Sequence, residues 1–242
     1  MLKKLTAFVL LMVILAGFTR AQMEVTPAAS SQPEARQALI DGITASAKGY
    51  FDQANGRAQR AQYAGDIYVC KNFTVRVFKD NSAGFAIAQY PDLELVIPDN
   101  LSAKDSKPLR YGIFWQDIPA ENGNPFVMAH SFVYSRELSK KENRDKALAF
   151  MREVKRGDFF QMAADYYYGV GAHSLVFIAD YDAAGDEVRW TDSNMKGKKV
   201  NGQRYGYVQY DASKKIDWFV DAFCRPGAGA TLYRLREDII RR

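Results

Sequence analysis

The strongest constraint on this chain is a pair of short extended segments with one turn between them. Ser174–Ala179 is compact and apolar, Ala184-Gly185 turns the chain, and Glu187–Thr191 returns it. Segments this close pair only antiparallel, because a parallel neighbour needs a crossover of about a dozen residues. The same signature surrounds them. Gly157-Asp158 turns into the apolar Phe159-Phe160, Tyr205–Tyr210 alternates, and Thr231–Leu235 reads as a closing strand after a helix over Lys215–Phe223.

Helices dominate earlier. Leu39, Ile43, Ala47, Tyr50, Phe51 and Ala54 recur at helical spacing, and Pro33 suits a first turn, so Pro33 to about Ala61 reads as a helix. Ser139 and Glu142 form a capping-box pattern that opens a helix through about Val154. Between them, turns at Pro91-Asp92, Pro98-Asp99-Asn100 and Asn122–Pro125 separate expected strands at Leu93–Ile97, Tyr111–Trp115 and Phe126–Tyr134. Tyr68–Phe78 stays open: Val69, Thr74, Val75 and Val77 favour a strand, whereas Val69, Phe73 and Val77 recur every four residues, as in a buried helix. Early helices and late paired strands give an α+β class with an antiparallel sheet.

Met1–Ala21 reads as a secretory signal peptide. Lys3 and Lys4 precede the uncharged apolar run Leu5–Phe18, and Thr19-Arg20-Ala21 offers small residues for cleavage. The run is shorter than the roughly 20 apolar residues a bilayer requires. The expectation is export, to the periplasm or beyond, with no stable membrane span after cleavage. Removal of Lys3, Lys4 and Arg20 lowers the formal charge from +5 to +2. No basic run with interleaved aromatics marks a nucleic-acid surface. Residues 22–32 read as a flexible lead-in, and 33–242 as a single domain with an insertion around 81–136; the oligomeric state is open.

The chemistry rests on few residues, since the chain has two cysteines and two histidines. Cys70 lies in Gly65-Asp-Ile-Tyr-Val-Cys-Lys-Asn-Phe-Thr74, and His173 in Gly169-Val-Gly-Ala-His-Ser-Leu-Val-Phe-Ile178, followed by Asp192 and Asn194. A thiol is nucleophilic as its thiolate, which a helix N-terminus or an imidazolium partner favours. A third polar group fixes the imidazole tautomer, and a hairpin brings Asp192 and Asn194 back towards His173. The plainer alternative is a Cys70–Cys224 disulfide, common in exported chains. Tyr166, Tyr167 and Tyr168 read equally as core or as the wall of a substrate groove. Two histidines and no close cysteine pair give no zinc spacing, and no glycine motif cradles phosphate, so no metal or cofactor is expected.

The order Cys, Gly-Asp before an apolar pair, Gly-x-His-Ser-x-Val-x-Ile, then Asp-x-Asn resembles the NlpC-type and CHAP (cysteine- and histidine-dependent amidohydrolase/peptidase) hydrolases. The resemblance covers Tyr68–Phe78 and Asp158–Asn194, under a quarter of the chain. It implies a papain-like core in which an N-terminal helix carrying the cysteine packs on an antiparallel sheet. It also implies Cys70 as nucleophile, His173 as general base, Asp192 and Asn194 as the acid and amide of the signature, and Tyr68 as the nearest candidate for the oxyanion site. The function it implies is an exported cysteine amidase or peptidase acting on peptidoglycan or peptides. The competing reading is an inert envelope binding module stabilised by a Cys70–Cys224 bond. A transferase of the same chemistry stays open, with an amine in place of water.

Overall fold

The computed structural model describes residues 32–54, 59–60, 70–81, 85–89, 125–163, 173–195, 202 and 205–241. Four helices are described: α1 (Gln32–Ala54), α2 (Cys70–Lys79), α3 (Lys140–Met151) and α4 (Ile216–Phe223). The strands are β1 (Gln59–Arg60), β2 (Phe85–Ile87), β3 (Phe126–Val133), β4 (Phe159–Ala163), β5 (His173–Phe177), β6 (Glu187–Met195), β7 (Tyr205–Lys215), β8 (Gly229–Leu235) and β9 (Ile239–Arg241). Seven form one sheet in the order β1-β7-β6-β5-β4-β8-β3, and β2 pairs with β9. All these pairings are antiparallel, which establishes the α+β class.

The centre of the sheet is buried on both faces. Phe159 pairs with Val176 and Tyr233, and all three enter a cluster with Leu39, Ile43 and Ala47 of α1 and Phe73 and Val77 of α2. The next row, Phe160 with Leu175 and Leu232, enters the cluster formed with Phe150 and Met151 of α3 and Phe219 and Phe223 of α4. Successive side chains of a strand point to opposite faces. A strand covered on both sides therefore reads as a continuous apolar run, as Phe159-Phe160 and Leu175–Phe177 do.

Local chemistry fixes the joints. The Ser139 hydroxyl accepts from the Glu142 N–H and the Glu142 carboxylate accepts from the Ser139 N–H, closing the expected capping box. Arg144 of α3 donates to Asp217 and Asp221 of α4 at 2.6 and 2.7 Å, tying the two helices. Gly157 has φ +87°, and a Cβ there would lie 2.8 Å from Ile40 of α1, so both backbone and packing require glycine. The next residue, Asp158, is fully buried and takes two bonds of 2.8 Å from Arg234.

Several elements differ from the sequence reading. The first helix is described over Gln32–Ala54, and Gln59–Arg60, expected within it, is an edge strand on β7. The capped helix ends at Met151, not Val154. The strand expected at Ser174–Ala179 runs over His173–Phe177, while β6 and β7 run on to Met195 and Lys215. The ambiguous segment is helical from Cys70. Its β-branched residues are accommodated because Phe73 and Val77 both bury against the sheet, and Thr74 donates to the Cys70 carbonyl at 2.8 Å. The two ends of 81–136 are integrated: β3 pairs with β8, and β2 with β9. The leader, most of the lead-in and the strands expected at Leu93–Ile97 and Tyr111–Trp115 lie outside the described residues.

Candidate active site

Three elements converge on His173. Cys70 is the first residue of α2, where the N–H groups of the first turn have no partner within the helix. These groups and the helix dipole favour negative charge at that end. His173 is the first residue of β5, paired with Met162 of β4. Asp192 lies on β6, the next strand of the sheet, and its Oδ2 sits 2.6 Å from His173 Nε2. The Cys70 sulfur acts on the same ring through a hydrogen bond and through its charge. With Nε2 engaged by Asp192, Nδ1 is the nitrogen left to face the thiol.

The ring and its carboxylate are both sequestered, with side chains 13% and 5% exposed. Burial alone disfavours the imidazolium. The hydrogen bond to Asp192 opposes it, then the hydrogen bond and charge of Cys70, and the His173 pKa is pushed up from 6.5 to about 10. A ring held charged beside a thiol and a carboxylate favours the thiolate form of its partner.

The carboxylate has a second partner that the sequence reading missed. Gln209 of β7 donates from Nε2 to Asp192 Oδ1 at 3.0 Å. The contact depends on an irregular register. Trp190 pairs with Ala212 but Asp192 pairs with Gln209, so Tyr210 and Asp211 together oppose Thr191. This is a β-bulge, with Asp211 at φ +58°. Arg189 grips Asp211 with two bonds of 2.6 Å, and the Thr191 hydroxyl donates to the Gln209 carbonyl at 2.7 Å. No spacing in the sequence announces the bulge. The available signal is an aspartate in β7, one of the few residue types that tolerates positive φ.

The remaining candidates separate. Asn194 lies two residues beyond Asp192 on β6, exposed and opposite Tyr207. Tyr68 and Tyr166–Tyr168 lie outside the described residues. Both cysteines are free thiols, so the Cys70–Cys224 bond of the alternative reading is not formed. Cys224 follows α4 and packs at the border of the α3–α4 cluster, whereas Cys70 begins the helix of the opposite cluster. Burial raises the Cys224 pKa above 9.0, outweighing the Arg144 charge, which keeps that thiol protonated. His130 lies on β3, 3.6 Å from Glu153 at the surface. Among the described residues no group of three or more His, Cys, Asp or Glu side chains could hold a metal. No helix there is long and apolar enough to cross a membrane. Comparison with known proteins finds no matching family model, no similar curated protein and no similar solved structure.

Proposed function

We propose that the chain is an exported cysteine amidase or peptidase with a papain-like core, cleaving amide bonds of peptidoglycan or of peptides. The observation that carries the reading is the placement of one part-buried imidazole between Asp192, at 2.6 Å, and a cysteine that is in no disulfide, at a helix start. The motif order Cys70, His173, Asp192 supports the papain-like class, and the apolar leader supports export.

In this reading the Cys70 thiolate attacks the scissile carbonyl carbon. The resulting oxyanion is held by N–H groups of the first turn of α2. Collapse of the tetrahedral adduct breaks the C–N bond, and the His173 imidazolium gives its proton to the leaving amine. The acyl-enzyme then has no thiolate. Two of the effects that raise the His173 pKa come from Cys70, and both are lost on acylation, while burial and Asp192 persist. The ring therefore becomes a weaker acid-holder at the stage where it must take a proton from water. Attack of that water releases the acid, and the proton returns to sulfur or stays on the ring. Asp192 keeps the ring oriented through both halves of the cycle.

The test is digestion of purified cell wall, muropeptides and ordinary peptides by the mature protein, with products resolved by chromatography. Released fragments that disappear in Cys70→Ala and His173→Ala support the reading. Cleavage of ordinary peptides alone rejects the wall and keeps the peptidase. Folded protein that cleaves none of the three overturns the enzyme reading.

A further inference from the structure

We propose that Gln209 is a positioning residue for the Asp192–His173 pair, delivered to its place by the bulge in β7. The inference rests on the cysteine-hydrolase reading above and adds a fourth member to its site.

A carboxylate bonded through one oxygen still rotates about its last torsion, whose energy profile is broad. Asp192 is tied through both oxygens, Oδ2 to His173 and Oδ1 to Gln209, which fixes its plane. It is also buried, where a polar group is costly unless its oxygens find partners. Gln209 itself is exposed, so core packing does not place it. Backbone geometry does. Without the extra residue in β7, a register continuing from Trp190–Ala212 would set Asp192 opposite Tyr210, an aromatic packed against the α1–α2 cluster. The bulge substitutes an amide donor for that ring. The Arg189–Asp211 clamp holds the left-handed residue of the bulge, and Thr191 pins the Gln209 carbonyl. Each contact lies within one hairpin, and together they aim one N–H at one oxygen.

The experiment measures Cys70 alkylation against pH in the full chain, together with urea midpoints, for the native protein, Gln209→Met and Gln209→Glu. Methionine keeps the length and removes the donor. Losing the equivalent of one hydrogen bond to a charged group should weaken the thiolate–imidazolium pair about tenfold, so the acid limb of the Cys70 alkylation profile should move up by about one pH unit. Glutamate places a second carboxylate about 3.0 Å from Asp192. Two such groups share a proton when acidic and repel once it leaves. Gln209→Glu should therefore match the native protein at pH 5 and fall away through a titration step that the native protein lacks. Native profiles in both variants would overturn the inference, as would a loss of stability with alkylation unchanged. A native protein that titrates as an ordinary thiol would overturn the hydrolase reading itself, and this inference with it.

Discussion

Replacing His173 with alanine should change the shape of the Cys70 alkylation profile more than its height. An ordinary thiol with pKa near 8.5 is about 0.3% thiolate at pH 6, so its alkylation rate climbs about tenfold per pH unit up to that value. A thiol paired with an imidazolium is thiolate throughout. If its proton affinity lies about 4 pH units below the ordinary value, the population gain at pH 6 is about 300-fold. Nucleophilicity falls with basicity, at a Brønsted slope near 0.45, which removes about 60-fold. The net advantage at pH 6 is only about fivefold, and the paired and unpaired curves cross before pH 7. A single rate at neutral pH therefore decides nothing. The native profile should be flat from about pH 5 to 9 and change again near 10, where His173 loses its proton. In His173→Ala it should climb to a plateau above pH 8.5. Iodoacetamide labelling with peptide mapping reads the two cysteines separately. Cys224, held protonated by burial, supplies the rising curve of an unpaired thiol in the same sample. A Cys70 profile that rises tenfold per unit in the native protein, or that is superimposable in both proteins, would refute the pairing.

Two further outcomes concern stability. The folded His173 pKa, about 10, exceeds its ordinary value of 6.5, so its stabilising share is complete below about pH 6.5 and lost as pH rises through 10. Urea midpoints should therefore drop between about pH 8.5 and 10, where an unfolded cysteine and histidine have both shed their protons, and His173→Gln should lack that drop; parallel curves would contradict it. Asp158→Ala should destabilise the fold by about 2–3 kcal/mol by leaving the Arg234 guanidinium only the Glu153 carbonyl and unpairing the Lys155 N–H; a denaturation midpoint within error of the native one would show that the pair carries no such load.

What the sequence shows and what it hides divide along physical lines. The capping box at Ser139 and Glu142, the hairpin of His173 and Asp192, and the helix over Ile216–Phe223 are local, and each is written in a few neighbouring residues. The Cys70 segment was ambiguous because propensity and periodicity disagreed. Burial of Phe73 and Val77 against the sheet decides for helix, and that surface is supplied by strands about a hundred residues later. The short β1 was hidden for a similar reason, since Gln59-Arg60 is a strand only through its pairing with β7. Gln209 was the least legible. Its role depends on register across a bulge, and a one-residue slip places Tyr210 there with no change in composition or alternation.

The site sits at a seam between layers for a physical reason. A thiolate and an imidazolium need a sequestered setting to reinforce one another, yet an apolar core supplies no donors for the carboxylate behind them. In this fold α2 ends its cover of the sheet at Cys70, and His173 begins β5, so the charged pair lies where helix and strand both start. The helix start contributes the positive end of its dipole, and the strand pair β6–β7 contributes Asp192 and Gln209. Moving Asp192 inward by two residues would set a carboxylate at Trp190, in the apolar cluster under α4, with no donor shown for it. Moving it outward by two would place it at exposed Asn194, where water screens its pull on the ring. Position 192 is the point on β6 that is buried enough to hold His173 charged and polar enough to give both carboxylate oxygens a partner. An Asp192→Ala, Asn194→Asp double variant tests this directly. It restores a carboxylate to the strand, yet its Cys70 alkylation profile should keep the rising form of Asp192→Ala; recovery of the flat native form would show that burial at position 192 is not what the pair requires.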